Sequence, residues 1–146
     1  MEPLQVIGAF ERLAELRDYV ERAAATAGLD RKASYRLCLA VDELATNAMT
    51  HGRPSPEHEI QLRLHAILEP ATLRIVLEDT GKPYDPRQTP VPTNLNLPLE
   101  EREPGGLGVF FALQSADEFQ YERAGDWNRN VLVVRRVAGD SGTQAG

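Results

Sequence analysis

Apolar residues recur every three or four positions in two early segments of the chain, which is the spacing of one face of an α-helix. The first segment covers residues 10–27 and is followed by Gly28, and the second covers residues 31–51, between Asp30 and Gly52. Aspartate is a favoured N-cap residue, and glycine commonly follows the last turn of a helix. The pattern therefore predicts two helices with these bounds.

Further along the chain, apolar and polar residues alternate, which is typical of strands with one buried face. Residues 59–68 and 72–79 alternate on either side of a short turn and predict an antiparallel hairpin. Three more strands are predicted, a weak one at 4–9 and two that close the domain at 118–123 and 130–137. Together these strands predict one mainly antiparallel sheet.

A proline-rich stretch interrupts this alternation at residues 82–104, which contain six of the ten prolines. An irregular segment of this length is usually a functional lid or a disordered loop. It leads into the sequence GGLG, Gly105 to Gly108, which opens a short apolar helix predicted at residues 109–116.

The predicted order of elements favours an α/β (α+β) two-layer sandwich, in which the helices cover one face of the sheet. The strands are too rarely separated by helices for a doubly wound sheet. A chain of 146 residues has the size of one domain, which we assign to residues 1–137. The small and polar residues 138–146 predict a flexible tail.

The composition excludes several classes of function. Lysine and arginine number 16 against 22 aspartates and glutamates, for a net charge of −6, so we expect no direct nucleic-acid partner. The single cysteine, Cys38, excludes an internal disulfide and a cysteine-rich zinc site. No apolar run approaches the ~18 residues of a membrane span, and the N-terminus lacks the features of a secretory signal. These features predict a cytoplasmic protein without a membrane partner.

Three polar residues follow one another at four-residue intervals on the second predicted helix: Glu43, Asn47 and His51. Residues at this spacing lie on the same side of a helix. An amide oxygen can ligate Mg²⁺, and a carboxylate can accept a proton from an attacking hydroxyl group. By spacing alone, however, a solvated helix face is the simpler interpretation.

An aspartate ends the predicted strand at residues 72–79 in an unexpected orientation. Asp79 has the same parity as Leu73, Ile75 and Leu77, so its carboxylate should point to the apolar face of the sheet. A buried carboxylate is costly unless it is hydrogen-bonded, and here it could accept the exocyclic amine of a base such as adenine. Gly81, two residues later, would let a ligand approach closely, although an ordinary turn after a strand explains both residues equally well.

The glycines at 105–108 offer a weaker signal of the same kind. Glycines before a helix allow several backbone N–H groups to converge on a phosphate. The sequence matches neither the P-loop nor the dinucleotide-binding fingerprint, and a flexible hinge is the alternative interpretation.

In their order and spacing, these segments resemble the nucleotide-binding boxes of the GHKL ATPases. ELATNAMTHG at 43–52 resembles the N-box, DTGKPYDP at 79–86 the first glycine box, and GGLGVFF at 105–111 the second. The proline-rich stretch has the position of the ATP lid. The resemblance covers about residues 4–137 and is strongest to the stand-alone anti-sigma factor serine/threonine kinases, the RsbW-like branch.

The resemblance implies a Bergerat-type fold that binds ATP and Mg²⁺. Asn47 matches the asparagine that coordinates Mg²⁺, and Glu43 matches the acidic residue proposed as general base. Asp79 matches the aspartate that contacts the adenine amine, with Gly81 beside it. The remaining nucleotide-binding positions near the phosphates are Gly105, Gly106, Leu107 and Gly108.

One supporting residue of the family is not found at its usual place. Relatives in other branches often have a threonine on a late strand that supports the adenine-binding aspartate. Here that strand reads NVLVVRR, so support for Asp79 must come from elsewhere in the chain or from water.

The resemblance also implies a function in a partner-switching pathway. The chain would phosphorylate an anti-sigma-factor antagonist and, when free of it, bind a sigma factor; relatives in this branch are often homodimers. After Lys82 the lid has only two cations, Arg87 and Arg102, so a nucleotide-binding switch without kinase turnover is the alternative. A third hypothesis is an interaction domain that binds no nucleotide.

Overall fold

The computed structural model describes residues 1–88 and 106–136 of the chain, with the backbone alone for residues 106 and 107. Its helices are α1 (Leu13–Ala27), α2 (Arg31–His51) and α3 (Gly106–Gln114). Its strands are β1 (Leu4–Ile7), β2 (Gln61–Leu68), β3 (Thr72–Asp79), β4 (Glu118–Ala124) and β5 (Trp127–Arg135). Short 3₁₀ turns occupy Phe10–Arg12 and Pro86–Gln88.

The five strands form one sheet in the order β1-β2-β3-β5-β4, and every neighbouring pair is antiparallel. Helices α1 and α2 cover one face of this sheet and pack against each other, while α3 packs on α2. The two-layer α+β sandwich predicted from the sequence is therefore confirmed. Between the layers lies a core of aliphatic side chains that includes Leu16, Val20, Leu37, Val41, Leu64, Ile75 and Leu132.

Local signals in the sequence explain the two long helices. The side chain of Asp30 accepts a hydrogen bond from the N–H of Ala33 at 2.8 Å, so α2 begins at the predicted residue. Helix α1 ends at Gly28, whose φ of 81° is left-handed and favours glycine. The predicted start of α1 at residue 10 was three residues too early. Phe10 lies in the preceding 3₁₀ turn and has 61% of its surface exposed.

The strands agree closely with the alternation of the sequence, and β3 has the predicted bounds. The largest difference is in β5, which runs from Trp127 to Arg135 instead of over 130–137. Its extra residues pair with the end of β3, where Asn128 lies opposite Asp79. The predicted tail at 138–146 and most of the predicted lid at 82–104 lie outside the described residues.

A row of alternating charges crosses the outer face of the sheet and holds four strands in register. Arg63, Glu78, Arg129 and Glu122 are directly opposite one another on β2, β3, β5 and β4, and they form a chain of ion pairs. The guanidinium of Arg63 also lies 4.0 Å from the ring centre of Trp127. Opposite charges across neighbouring strands stabilise one register, which here places Asn128 beside Asp79.

A tyrosine of α1 binds the edge of β2 where β1 no longer covers it. Strand β1 pairs with β2 only over Gln61 to Leu64, so the edge of β2 is uncovered further along. There the hydroxyl oxygen of the buried Tyr19 accepts a hydrogen bond from the N–H of Ala66 at 3.0 Å.

In the part of the chain that the structure describes, no helix is both long and apolar enough to cross a membrane.

We expect Tyr19→Phe to lower the free energy of unfolding by about 1–3 kcal/mol, because the buried N–H of Ala66 loses its acceptor. Urea denaturation followed by circular dichroism measures the change. Tyr35→Phe is the matched control, since Tyr35 is 64% exposed and should leave the stability unchanged. An equal loss in the two variants would contradict the assigned role of Tyr19.

Candidate nucleotide-binding site

A cavity of about 530 Å³ is lined by α2, by the end of β3 and the start of β5, and by the segment that follows β3. Its wall is mainly apolar, with a few polar side chains that converge from different elements, which is the usual composition of a small-molecule site. The polar lining comes from α2 (Asn47, His51), β3 (Asp79), the segment after β3 (Lys82, Tyr84) and β5 (Asn128, Asn130).

Asp79 is the buried anion of this cavity, with only 5% of its surface exposed. Its carboxylate points to the apolar face, as its parity with Leu77 predicted. Within the described residues, both hydrogen bonds to Asp79 fall on Oδ1: one from the N–H of Gly81 at 2.8 Å and one from Asn128 Nδ2 at 3.0 Å. Oδ2 is therefore left for a donor from the cavity.

Burial raises the pKa of Asp79, whereas the hydrogen bonds from Asn128 and Gly81 and the positive charge of Arg123 act in the opposite direction. The net direction is upward, so ionising this carboxyl group costs free energy in the folded protein. A costly anion in a cavity is a typical feature of a functional site.

Asn128 provides the support for Asp79 that the sequence alone did not reveal. Its Nδ2 donates to Asp79 Oδ1 and, at 2.8 Å, to the carbonyl of Lys82. Its Oδ1 accepts from the N–H of Tyr84 at 3.1 Å and from the hydroxyl of Tyr121 at 2.5 Å. Both ends of the amide are used, so the side chain is held in one orientation, and it fixes Asp79 together with the segment after β3.

The signal for Asn128 was present in the sequence but was hidden by a wrong strand boundary. Asn128 and Asn130 alternate with outward residues in phase with Leu132, so they belong to the inward face of β5. The predicted strand at 130–137 does not include Asn128, whereas β5 begins at Trp127.

Gly81 packs closely against the end of α2. A Cβ at Gly81 would lie 3.1 Å from both Cα and the carbonyl oxygen of Gly52, and 2.9 Å from Asp79 Oδ1. The N–H of Lys82 donates to the carbonyl of Gly52 at 2.9 Å, and Arg123 donates to the carbonyl of Gly81 at 2.8 Å. The glycine thus allows the segment after β3 to pack on the end of α2, and it is not part of the described cavity wall.

The polar row of α2 is divided between two surroundings. Asn47 and His51 line the cavity with Asp79, so the structure brings the predicted metal ligand and the predicted base-binding residue to one site. Glu43, one turn earlier, packs against α3: a Cβ at Gly108 would lie 2.6 Å from its Cδ. Burial, and to a lesser extent the nearby charge of Asp42, raises the pKa of Glu43.

Residues 106–108 of the glycine-rich motif lie within α3, whereas the sequence predicted that they would precede the helix. Helix α3 begins at Gly106, so Gly106, Leu107 and Gly108 form its first turn and do not precede the helix. The absence of a side chain at Gly108 provides the space that Glu43 occupies. Gly105 lies outside the described residues, as do the contacts of the Leu107 side chain.

Few of the described cationic side chains lie near the cavity. Lys82 lines it, whereas Arg87 is bound to its neighbour Asp85, with Nη2 2.8 Å from Oδ2 and Nε 3.0 Å from Oδ1. The Arg87 guanidinium holds the pKa of Asp85 below its usual range. Arg102 lies outside the described residues. Within residues 1–88 and 106–136, no three histidine, cysteine or acidic side chains cluster as metal ligands.

Residues 8–136 match the family of the histidine kinase-like ATPase domain. The chain belongs to this family. The match confirms the membership inferred from the three motifs, and it implies that this ATPase domain binds ATP.

Individual relatives agree with this membership. The chain is 30% identical over 100 residues to the serine/threonine-protein kinase BtrW of Bordetella bronchiseptica, covering 68% of each protein. A histidine kinase domain from the blue-light activated histidine kinase of Erythrobacter litoralis has a TM-score of 0.52 and 17% identity, over 88% of this chain and 61% of that one. At this identity, the likeness shows that the fold is shared.

The histidine kinase AdeS of Acinetobacter baumannii has a TM-score of 0.49 and 13% identity, over 93% of this chain and 69% of that one.

The residues of the cavity fit a nucleotide. Asp79 Oδ2 is a buried acceptor available to a base, and the apolar wall includes Leu44 and Val109, which can cover the faces of a planar ring. The amide oxygen of Asn47 is of the ligand type that Mg²⁺ prefers, although a single protein ligand requires that phosphate oxygens complete the coordination.

We expect Asp79→Asn to raise the melting temperature of the protein without nucleotide at about pH 7, by roughly 2–4 °C for a gain of about 1 kcal/mol. The amide oxygen can accept both hydrogen bonds that reach Oδ1 and carries no charge. Since burial raises the pKa of Asp79, its contribution to stability is present at low pH and is lost as the pH rises through that pKa. The difference between variant and wild type should therefore shrink toward about pH 4, as thermal melts across the pH range would show.

A destabilised Asp79→Asn variant at neutral pH would contradict this interpretation. It would mean that the ionised carboxylate is required by the fold.

Proposed function

We propose that this chain is an ATP-dependent protein serine/threonine kinase that phosphorylates an anti-sigma-factor antagonist in a partner-switching pathway. The observation that best supports it is the buried Asp79 facing the same cavity as Asn47, at the two motif positions that resemble the base-binding and Mg²⁺-binding positions of the family. The similarity to the serine/threonine-protein kinase BtrW supports the choice of a hydroxyl acceptor.

Each residue of the site has a distinct task in this proposal. Asp79 Oδ2 accepts the exocyclic amine of adenine, and Asn128 keeps that carboxylate oriented. The amide oxygen of Asn47 holds Mg²⁺, which when bound neutralises charge on the phosphates. The first turn of α3, with Gly106, Leu107 and Gly108 following Gly105, provides backbone N–H groups for the phosphates.

Glu43 is the proposed general base. It accepts the proton of the serine hydroxyl as the oxygen bonds to the transferred phosphoryl group, and ADP leaves. Its raised pKa brings the carboxylate closer to the pKa that suits a base near neutral pH. To reach the hydroxyl, the side chain must turn from its contact with Gly108 toward the cavity.

The partners follow from the same proposal. A phosphorylated antagonist gains a charge of about −2, which an acidic protein of net charge −6 repels, so the kinase is released to bind a sigma factor. We place this exchange in the cytoplasm, where a sigma factor acts, and we include a second copy of the chain among the partners as a homodimer.

Two observations favour a second candidate, a nucleotide-binding partner switch without phosphoryl transfer. Glu43 is packed against α3 and is not part of the described cavity wall. Arg87 is bound to Asp85 and is not part of the described cavity wall. Incubation with γ-³²P-labelled ATP and candidate antagonists decides between the two: labelled antagonist supports the kinase, and nucleotide binding without any labelled partner supports the switch.

We expect Glu43→Gln to lower phosphoryl transfer by at least about 100-fold, because the amide cannot take up the hydroxyl proton. Affinity for Mg-ATP should stay within about threefold of wild type, since Glu43 does not line the cavity. Asp42→Asn is the matched control: it is the neighbouring carboxylate, paired with Arg17 at 3.6 Å, and its variant should retain transfer. An equal loss of binding and transfer in Glu43→Gln would refute the role of base.

The rate of transfer should depend on pH in a way that reports Glu43. A base must be ionised to accept a proton. Because burial raises the pKa of Glu43, the rate should start to fall on acidification at a pH above the ordinary glutamate pKa of about 4.3. Transfer measured at saturating ATP from about pH 5 to pH 8 tests this. The residual activity of Glu43→Gln should lack that acidic limb.

The Asp79→Asn variant should lose Mg-ATP affinity by more than about tenfold, because a hydrogen bond to a charged group is replaced by an amide N–H that faces the amine of the base. Calorimetric titration measures the loss. Unchanged affinity would exclude Asp79 from base recognition.

A further inference from the structure

A second asparagine of β5 lines the cavity and has an unused acceptor. Asn130 lies opposite Leu77 in the sheet, has 4% of its surface exposed, and lines the same cavity as Asp79. Its Nδ2 donates to the carbonyl of Leu77 at 3.3 Å. Its Oδ1 is buried and has no hydrogen-bond partner among residues 1–88 and 106–136. Buried side-chain acceptors usually have a hydrogen-bond donor, so we expect a bound molecule to provide one for this oxygen.

The orientation of the Asn130 amide follows from its surroundings. A carbonyl oxygen can only accept a hydrogen bond, so the nitrogen of the amide must face Leu77. The oxygen is then the atom left for a ligand in the cavity. Asn130 and Asp79 therefore both offer acceptors, from diagonal positions on two neighbouring strands.

Resting on the proposed nucleotide binding, we infer that Asp79 Oδ2 and Asn130 Oδ1 each accept one of the two hydrogens of the exocyclic amine, so that Asn130 makes the site specific for a 6-aminopurine. The two N–H bonds of such an amine diverge by about 120°, and acceptors at ~2.9 Å along them lie about 5 Å apart. Residues on diagonal positions of paired strands are about 7–8 Å apart, so side-chain oxygens that lean toward each other can reach the required separation.

Guanine is poorly matched to the same acceptors. Its N1–H and 2-amino N–H are nearly parallel and pair best with the two oxygens of one carboxylate. In Asp79, Oδ1 already accepts from Gly81 and Asn128, so the carboxylate cannot provide both oxygens. If guanine instead presents its 6-oxo group, an acceptor meets the acceptors Asp79 Oδ2 and Asn130 Oδ1.

The test is a thermodynamic cycle between the side chain and the amine. Mg-ATP and Mg-purine riboside triphosphate, which has hydrogen in place of the 6-amino group, are titrated calorimetrically into the wild type and Asn130→Leu. We expect the wild type to prefer ATP, and Asn130→Leu to reduce that preference about five- to tenfold. The analogue should bind the variant at least as tightly as the wild type, because the unpaired oxygen is gone. Binding of GTP should be weak to both.

Two further variants control for effects on folding. Asn130→Thr suits a strand and keeps an oxygen that can accept, so it should retain more of the preference for ATP than Asn130→Leu. Val134→Ala alters a buried residue of the same strand that is not part of the cavity wall, and the preference should be unchanged in it. If Asn130→Leu does not fold, Asn130→Ala, which removes the same oxygen with a smaller side chain, takes its place in the comparison.

An equal preference for ATP in the wild type and in both Asn130 variants would overturn the inference and leave Asn130 with a structural role. Failure of the wild type to bind ATP at all would instead refute the proposed function.

Discussion

The hydrogen bond from Asn128 to Asp79 connects the fold to the candidate site. It joins two adjacent strands at the point where β3 ends, and it keeps a buried carboxylate in a fixed orientation. A buried charge without such a partner would be too costly to retain. The same asparagine holds the carbonyl of Lys82 and the N–H of Tyr84, so the wall of the cavity and its anion share one support.

The rest of the molecule ensures that these two residues meet. The antiparallel pairing of β3 with β5 places them opposite each other, and the row of charges on the outer face stabilises that register. On the inner face, the contact between Gly52 and Gly81 brings the end of α2 against the segment after β3. Asn47 and Asp79 thereby line one cavity, although they are distant in the sequence.

Membership of the histidine kinase-like ATPase family explains why these features occur together. In this chain, Asn128 of β5 supports Asp79, and a second asparagine of the same strand, Asn130, has a buried acceptor without a partner in the described residues. Glu43 lies at the contact between α2 and α3, so a kinase reaction would require its side chain to turn from that contact toward the cavity. The two proposed functions differ in whether that rotation occurs.

Much of the architecture is determined by local sequence. Asp30 and Gly28 set helix boundaries through capping and a left-handed turn, and the alternation along β3 is sufficient to predict the inward direction of Asp79. Such signals are readable because they depend on residues a few positions apart. The partners of Asp79 and Glu43 were decided only by the tertiary structure. Asn128 reaches Asp79 from 49 residues further along, and Gly108 makes room for Glu43 across a helix contact. A periodic pattern states which face a side chain occupies, but strand pairing and helix packing decide what it touches there.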